Sequence, residues 1–297
     1  MKRLISSNAS DLISYSAKEI KQSIKASEGR TVCAENVAVR EAFIGDITGA
    51  EIATAFGADL ILLNGVDVLK PKLAGIENQK DFVNELKKLV GRPIGVNLEP
   101  VDTNAVMMDE SIEISRGRTV NEESMAALDK LGMDFLCLTG NPGTGVTNKT
   151  IKEAIKLAKK NFSGLIIAGK MHSSGVDEPV TSKETIEAFI EAGADIILVP
   201  AVGTVPGFDS NQLKESVKVA HNNDALVMTA IGTSQEGSSK ETIRQIAIIN
   251  KICGVDIQHI GDAGYGGLAP VENIFELSVA IRGIRHTVSM VSRSINR

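Results

Sequence analysis

At 297 residues, 43% hydrophobic and 23% charged, the chain can bury one large core and is too apolar to be disordered. Its 32 basic and 37 acidic side chains, net −5, form no basic block, which argues against nucleic acid or an anionic membrane as partner. With 8 Phe, 2 Tyr and no Trp there is little material for a base-stacking or carbohydrate-stacking surface, so a small polar ligand is expected.

Residues 1–30 have a basic start but no apolar run of signal-peptide length, and no stretch anywhere approaches the roughly 18 apolar residues of a membrane span. Ser16 with Glu19 predicts a capping box for a leading helix. Cys33, Cys137 and Cys253 are odd in number and share no C-x-x-C spacing, which reads as buried thiols in a reducing, cytoplasmic compartment.

A glycine, one residue and an aspartate then precede a short apolar run four times. The copies are Gly57-Ala58-Asp59 before LILL, Gly132-Met133-Asp134 before FLCL, Gly193-Ala194-Asp195 before IILV, and Gly254-Val255-Asp256 before IQHI. Each reads as a helix C-cap followed by a fully buried parallel strand. Four more runs alternate with them: TVCAENVA (31–38), PIGVNLE (93–99), GLIIAGK (164–170) and ALVMTAIG (225–232). Between strands lie helical periods, as at Ile151, Ala154, Ile155 and Ala158, and in 209–221 and 239–253 with Asp209 and Ser239 as N-caps. Eight strands alternating with helices predict a single (β/α)8 TIM barrel over 1–297, with an extra N-terminal helix and a long loop, 100–120, after strand three. The competing doubly wound sheet would need a G-x-G-x-x-G turn after strand one, where NVAVREAFIGD has none.

A barrel places its active site at the C-terminal strand ends. Those ends supply Glu35, Asn64, Asn97, Glu99, Thr139, Asn141, Lys170 and His172, and on strand eight either Gln258 or His259. Alternation puts Gly95, Asn97 and Glu99 on the inner face and Ile94, Val96 and Leu98 against helices, and the same reasoning points Ala168, Lys170 and His172 into the mouth. Lys170 could serve as imine nucleophile, general base or plain counter-ion, with His172 shuttling protons and Glu35 and Glu99 as acid–base carboxylates. The sequence assigns no cofactor, although Glu35, Glu99 and His172 could supply three ligands to a divalent metal. His221 and His286 read as solvated helix residues.

Glycine-rich turns after strands seven and eight suggest a phosphate cradle built from Gly232, Thr233, Ser234, Gly264, Gly266 and Gly267, with Pro270 at the first position of the following helix. Glu236 and Asp262 in the same turns oppose a highly charged anion. In the long loop, Arg116-Gly117-Arg118 could close over a carboxylate or phosphate.

The G-A-D-x-I-I repeats, the GKMHSSG strand end and the closing HIGDAGYGG resemble the phosphate-binding (β/α)8 barrels. More narrowly they resemble bacterial proteins labelled phosphonomutase-like or haloacid dehalogenase-like hydrolase. The D-x-D of dehalogenase-like phosphatases and the E-D-K string of the phosphoenolpyruvate mutase and isocitrate lyase group are both missing. Asp46, Glu99 and Asp262 are the loose counterparts of the acidic magnesium ligands that the latter group implies. The expected function is therefore an enzyme of lyase, aldolase or isomerase type acting on a small, phosphorylated carbonyl or carboxylate metabolite. A metal-assisted lyase or hydrolase and a non-catalytic sensing barrel are the alternatives, and a homo-oligomer is left open.

Overall fold

The structure, a computed structural model, describes residues 1–42, 44–108, 110–263 and 267–297. Two short helices, α1 (Ala9–Ser14) and α2 (Ala17–Lys25), lead the chain. One leading helix was expected; there are two because Asn8 with Asp11 and Ser16 with Glu19 each build a separate capping box. Strands β1 (Thr31–Val37), β2 (Leu60–Asn64), β3 (Ile94–Leu98), β4 (Phe135–Leu138), β5 (Leu165–Gly169), β6 (Ile196–Pro200), β7 (Leu226–Ile231) and β8 (Ile257–Ile260) follow. They form a closed parallel barrel in chain order, β8 pairing back onto β1. After successive strands come α3 (Gly49–Ala55), α4 (Phe82–Val90), α5 (Glu122–Leu131), α6 (Asn148–Asn161), α7 (Lys183–Ala192), α8 (Ser210–Asn222), α9 (Lys240–Cys253) and α10 (Val271–Val291). This is the TIM barrel that the repeat predicts, and the open sheet is excluded. Pro270 falls one residue earlier than expected, as the N-cap of α10.

The fourfold G-x-D has a physical cause at the N-terminal end of the barrel. Gly57, Gly132, Gly193 and Gly254 all take positive φ as their helices end. Each aspartate then ties its strand to the strand before it. The carboxylates of Asp59, Asp134, Asp195 and Asp256 accept the backbone N–H of Val32, Ile94, Ile166 and Val227. The aspartate N–H groups donate back to the carbonyls of the same four residues. Each carboxylate also meets a basic side chain, Arg282, Lys87, Lys21 and His221 in turn. His221 is thus paired with Asp256 at 2.8 Å rather than merely solvated.

Strand parity follows from the two apolar clusters. Val32, Ala34, Ile94, Val96, Leu98, Ile166, Ala168, Val227 and Ile260 belong to the cluster between strands and helices. Cys33, Leu62, Cys137, Ile167, Leu198, Met228 and Ile257 fill the barrel interior together with Leu4, Leu12, Ile20 and Ile24 of the leading segment, which plugs the N-terminal end. The three cysteines are free and buried, as expected.

Candidate active site

A cavity of about 580 Å³ opens at the C-terminal end of the barrel, within the range that suits small ligands. Glu35 enters it from the end of β1 and is buried. Behind Glu35 lies His259, fully buried, with Nε2 2.9 Å from Glu35 Oε2, at ion-pair distance but not aligned for a hydrogen bond. Because Cys33 and Ala230, both interior, flank His259 in register, His259 is the inward residue of β8. Gln258 points outward and donates to the Ala247 carbonyl on α9. Burial raises the Glu35 pKa; the contact with His259 opposes that shift, and Asp262 and Glu99 reinforce it.

The opposite side of the mouth is built from neutral groups. Asn64 Nδ2 donates to Asn141 Oδ1 at 2.8 Å, and Asn141 Nδ2 donates back to Asn64 Oδ1 at 3.1 Å. Asn97 lies beneath, donating to Asn64 Oδ1 at 3.4 Å, while its own Oδ1 and the Thr139 hydroxyl are buried without partners. Neither Asn97 nor Thr139 is in the cavity wall. His172 and Ser173 are. Ser174 N donates to His172 Nδ1 at 3.0 Å, which leaves the ring proton of the neutral imidazole on Nε2. Burial, with Lys170 adding to it, lowers the His172 pKa, so the neutral form dominates at pH 7.

Three expectations need correction. Lys170 does not face the mouth. It follows Ala168 on the outward parity, its side chain is fully buried, and Nζ sits 2.5 Å from Glu178 Oε1, which also accepts from Asn148 N at the start of α6. The inward position of that turn belongs to Met171, and Gly169 is needed there because a Cβ would come 1.9 Å from the Leu198 carbonyl oxygen. Glu99 is buried but saturated: Arg118 and Asn141 Nδ2 donate to Oε1, and Asn141 N donates to Oε2. The arginine of the long loop therefore closes over the protein's own carboxylate, not over a ligand, while Arg116 pairs with Glu123. With Glu99 committed, the proposed set of Glu35, Glu99 and His172 does not fit a metal, and among the described residues no group of three acidic, histidine or cysteine side chains is placed to hold one.

The phosphate cradle is split. Gly232, Thr233 and Ser234 line the mouth, Thr233 and Ser234 with positive φ. Gly267 does not; its carbonyl accepts from Val37 N, locking the chain across the end of β1. Gly264 and Gly266 lie outside the described residues. Asp46 is exposed away from the cavity. Glu236 and Asp262, which the sequence reads only as opposing an anion and, for Asp262, as a loose metal-ligand counterpart, enter the wall from the turns after β7 and β8. Met171 and, from the long loop, Met108, both of which the sequence leaves unassigned, complete it. That loop is pinned over neighbouring turns by Asp102 N to Gly145 O, Met108 N to Gly175 O and Ile112 N to Gly143 O. No helix among the described residues is long and apolar enough to cross a membrane.

The chain matches the DUF7916 family, described as a domain of unknown function, over residues 5–297, and belongs to it. No curated protein matches. Among solved structures it is similar to an archaeal fructose-1,6-bisphosphate aldolase with its catalytic Lys covalently bound to the carbinolamine intermediate. That likeness has a TM-score of 0.54 and 15% identity, covering 87% of this chain and 96% of the other. It is also similar to a putative lyase/mutase from Burkholderia cenocepacia J2315, with a TM-score of 0.51 and 14% identity, covering 83% and 82%. A third is 2,3-dimethylmalate lyase, a PEP mutase/isocitrate lyase superfamily member, with a TM-score of 0.50 and 10% identity, covering 84% and 82%. At these identities the likeness is one of fold, so the resemblance read from the sequence stands at the level of the barrel.

Proposed function

We propose that this protein is an enzyme of the aldolase or lyase type, acting on a small hydroxy-carbonyl metabolite by carboxylate–imidazole proton transfer. The observation that carries the reading is Glu35, buried in the wall of the mouth against His259 with its pKa raised, the direction that fits a general acid–base near neutral pH. In the cleavage direction Glu35 would take the proton of the substrate hydroxyl. The bond between that carbon and the carbon beside the carbonyl then breaks, giving an aldehyde and an enolate, and the same proton returns to the enolate carbon. The neutral His172, with its proton on Nε2, is the donor in the wall suited to hold the developing enolate oxygen.

The fold neighbours named as aldolase and lyase support the reaction class. The lysine route of the archaeal aldolase has no counterpart here: among the described residues no lysine or arginine lines the mouth. A phosphorylated substrate would find no counter-charge there, so phosphate is left out of the proposal.

The test is deuterium exchange. Hydroxyacetone incubated in D2O with the protein and followed by proton NMR should lose its α-hydrogen signal. Glu35→Gln should slow that loss about 100-fold or more, the usual weight of a general acid–base. Exchange untouched by Glu35→Gln, or borohydride trapping of hydroxyacetone on Lys170, would refute the proposal.

A further inference from the structure

The mouth is electrically two-sided. Glu35, Glu236 and Asp262 come from β1 and from the turns after β7 and β8, three neighbours in the barrel, while Asn64, Asn141, His172 and Ser173 line the rest from β2, β4 and β5, Asn64 Nδ2 meeting Asp262 Oδ2 at 3.5 Å where the two parts join. The acidic half has a feature that ordinary surface carboxylates lack. Glu236 is only 6% exposed, and its Oε2 is buried with no hydrogen-bond partner. It is held in place, not swung in by chance. Asn273 Nδ2 donates 2.8 Å bonds to the backbone carbonyls of Glu236 and Ser238, fixing the short helical turn Gln235–Gly237. A Cβ on Gly261 would stand 3.2 Å from the Ile231 carbonyl oxygen and at ordinary contact distance, 3.5 Å, from the Glu236 carboxyl carbon, so the carboxyl packs directly on the end of β8.

A carboxyl group held in a water-poor wall with one oxygen left without a partner is costly unless it stays neutral or meets a cation. No lysine or arginine among the described residues lines this wall, and His259, which lies behind Glu35, does not bond Glu236 Oε2, so a cation that meets that oxygen would arrive with the ligand. Burial raises the Glu236 pKa; a backbone hydrogen bond of its own residue and His259 oppose the shift, and Asp262 and Glu35 add to it.

We propose that the mouth selects an amine-bearing substrate, whose protonated primary amine sits against Glu236 while its hydroxyl reaches Glu35 and its carbonyl faces His172 and the Asn64–Asn141 side. The inference rests on the acid–base reading of the same site and adds the substrate class to it. Asp262 contributes negative charge to that half of the mouth.

Three matched three-carbon ketones test it: aminoacetone, hydroxyacetone and hydroxyacetone phosphate, titrated calorimetrically into the full chain, with magnesium chloride alone as a fourth probe. Aminoacetone should bind at least about tenfold tighter than hydroxyacetone, the minimum expected of one charge-assisted hydrogen bond, and the phosphate should bind most weakly. Glu236→Gln keeps the backbone carbonyl that Asn273 holds, so the turn survives. That variant should lose the preference, so that aminoacetone no longer binds tighter than hydroxyacetone. Tightest binding by the phosphate, equal or absent binding of the amine, or magnesium binding that Glu236→Gln removes would each overturn the proposal. The two readings fail separately. Hydroxyacetone exchange that depends on Glu35 survives a failed amine preference, and an amine preference without any exchange would leave a binding site and remove the chemistry.

Discussion

The aspartate staples offer a graded experiment in which one atom type changes and the geometry does not. Asp59 Oδ2 accepts from Val32 N at 2.8 Å and from Arg282 Nη1 at 2.5 Å, and both side chains are fully buried. Asp59 Oδ1 has no partner, so in Asp59→Asn the amide group can take that place while the carbonyl oxygen keeps both bonds. What is lost is the charge. Arg282 cannot retreat to water, because Ser278, the Gly57 carbonyl and the Arg30 carbonyl also anchor it. The buried Arg92 leans on Asp59 too, since Asp59 offsets part of the burial that lowers the Arg92 pKa. Two charges about 4 Å apart at an effective dielectric near 20 are worth roughly 4 kcal/mol, and breaking buried pairs costs about 3–5 kcal/mol. In a chain of this size that corresponds to a fall in Tm of about 6–10 °C, at roughly 2 °C per kcal/mol. Asp195, with Lys21 3.7 Å away and both side chains about one-fifth exposed, should cost only about 1 kcal/mol in Asp195→Asn. Replacing the whole buried pair, Asp59→Asn with Arg282→Met, should cost less than Asp59→Asn alone. Urea titrations of the four proteins decide it. Equal losses for Asp59→Asn and Asp195→Asn would refute the claim that the buried charge, rather than the shared hydrogen bond, sets the cost.

Lys170→Met should lower stability by about 1–3 kcal/mol, less than the Asp59 change because Glu178 is one-quarter exposed and can take up water, while hydroxyacetone exchange per folded molecule stays intact; lost exchange at unchanged stability would return Lys170 to the chemistry. His221 carries a pKa raised chiefly by its hydrogen bond to Asp256, so its stabilisation is complete below the unfolded value near 6.5 and fades as pH rises through the folded one. With 41% of the side chain exposed, solvent screening limits the effect to about 0.5 kcal/mol, and urea midpoints between pH 6 and 8 should drop more for the native chain than for His221→Gln.

Much of the architecture is legible because each strand is a short, largely apolar run and every even strand is preceded by an aspartate whose job is to bridge two strands. The inward faces were harder. A parallel strand packed on both sides gives no alternation, so LIIAG could not show which face its Lys170 continues. Polarity at the strand end suggests an inward side chain, and for Lys170 of β5 the structure shows the outward one. The repeat nevertheless held the answer. The residue whose N–H the aspartate binds faces the helices on every odd strand: Val32, Ile94, Ile166 and Val227. Four positions later stand Asn36, Leu98, Lys170 and Ile231, on that same outward parity, whereas Glu35 and Asn97 stand three later. On the even strands, counting three from the aspartate reaches Leu62, Cys137, Leu198 and His259, the first three of them interior. The offset that leaves Lys170 outside thus brings His259 in.

The same geometry explains why the glycine-rich turns misled. Glycine there suggests backbone cleared for a phosphate, yet Gly267 gives its carbonyl to Val37 and Gly261 packs beside the Ile231 carbonyl and the Glu236 carboxyl. A turn emptied of side chains can admit an anion or can admit the protein's own acid, and composition alone does not separate these. What separates them is the company of the turn. In this mouth the arginine is spent on Glu99 and the lysine on Glu178, which leaves His259 behind Glu35 and, among the described residues, no lysine or arginine in the wall that Glu236 joins. An anionic ligand would add to that charge, whereas a cationic one would complete it, so the acidic half of the mouth bears more directly on the substrate than the glycines do.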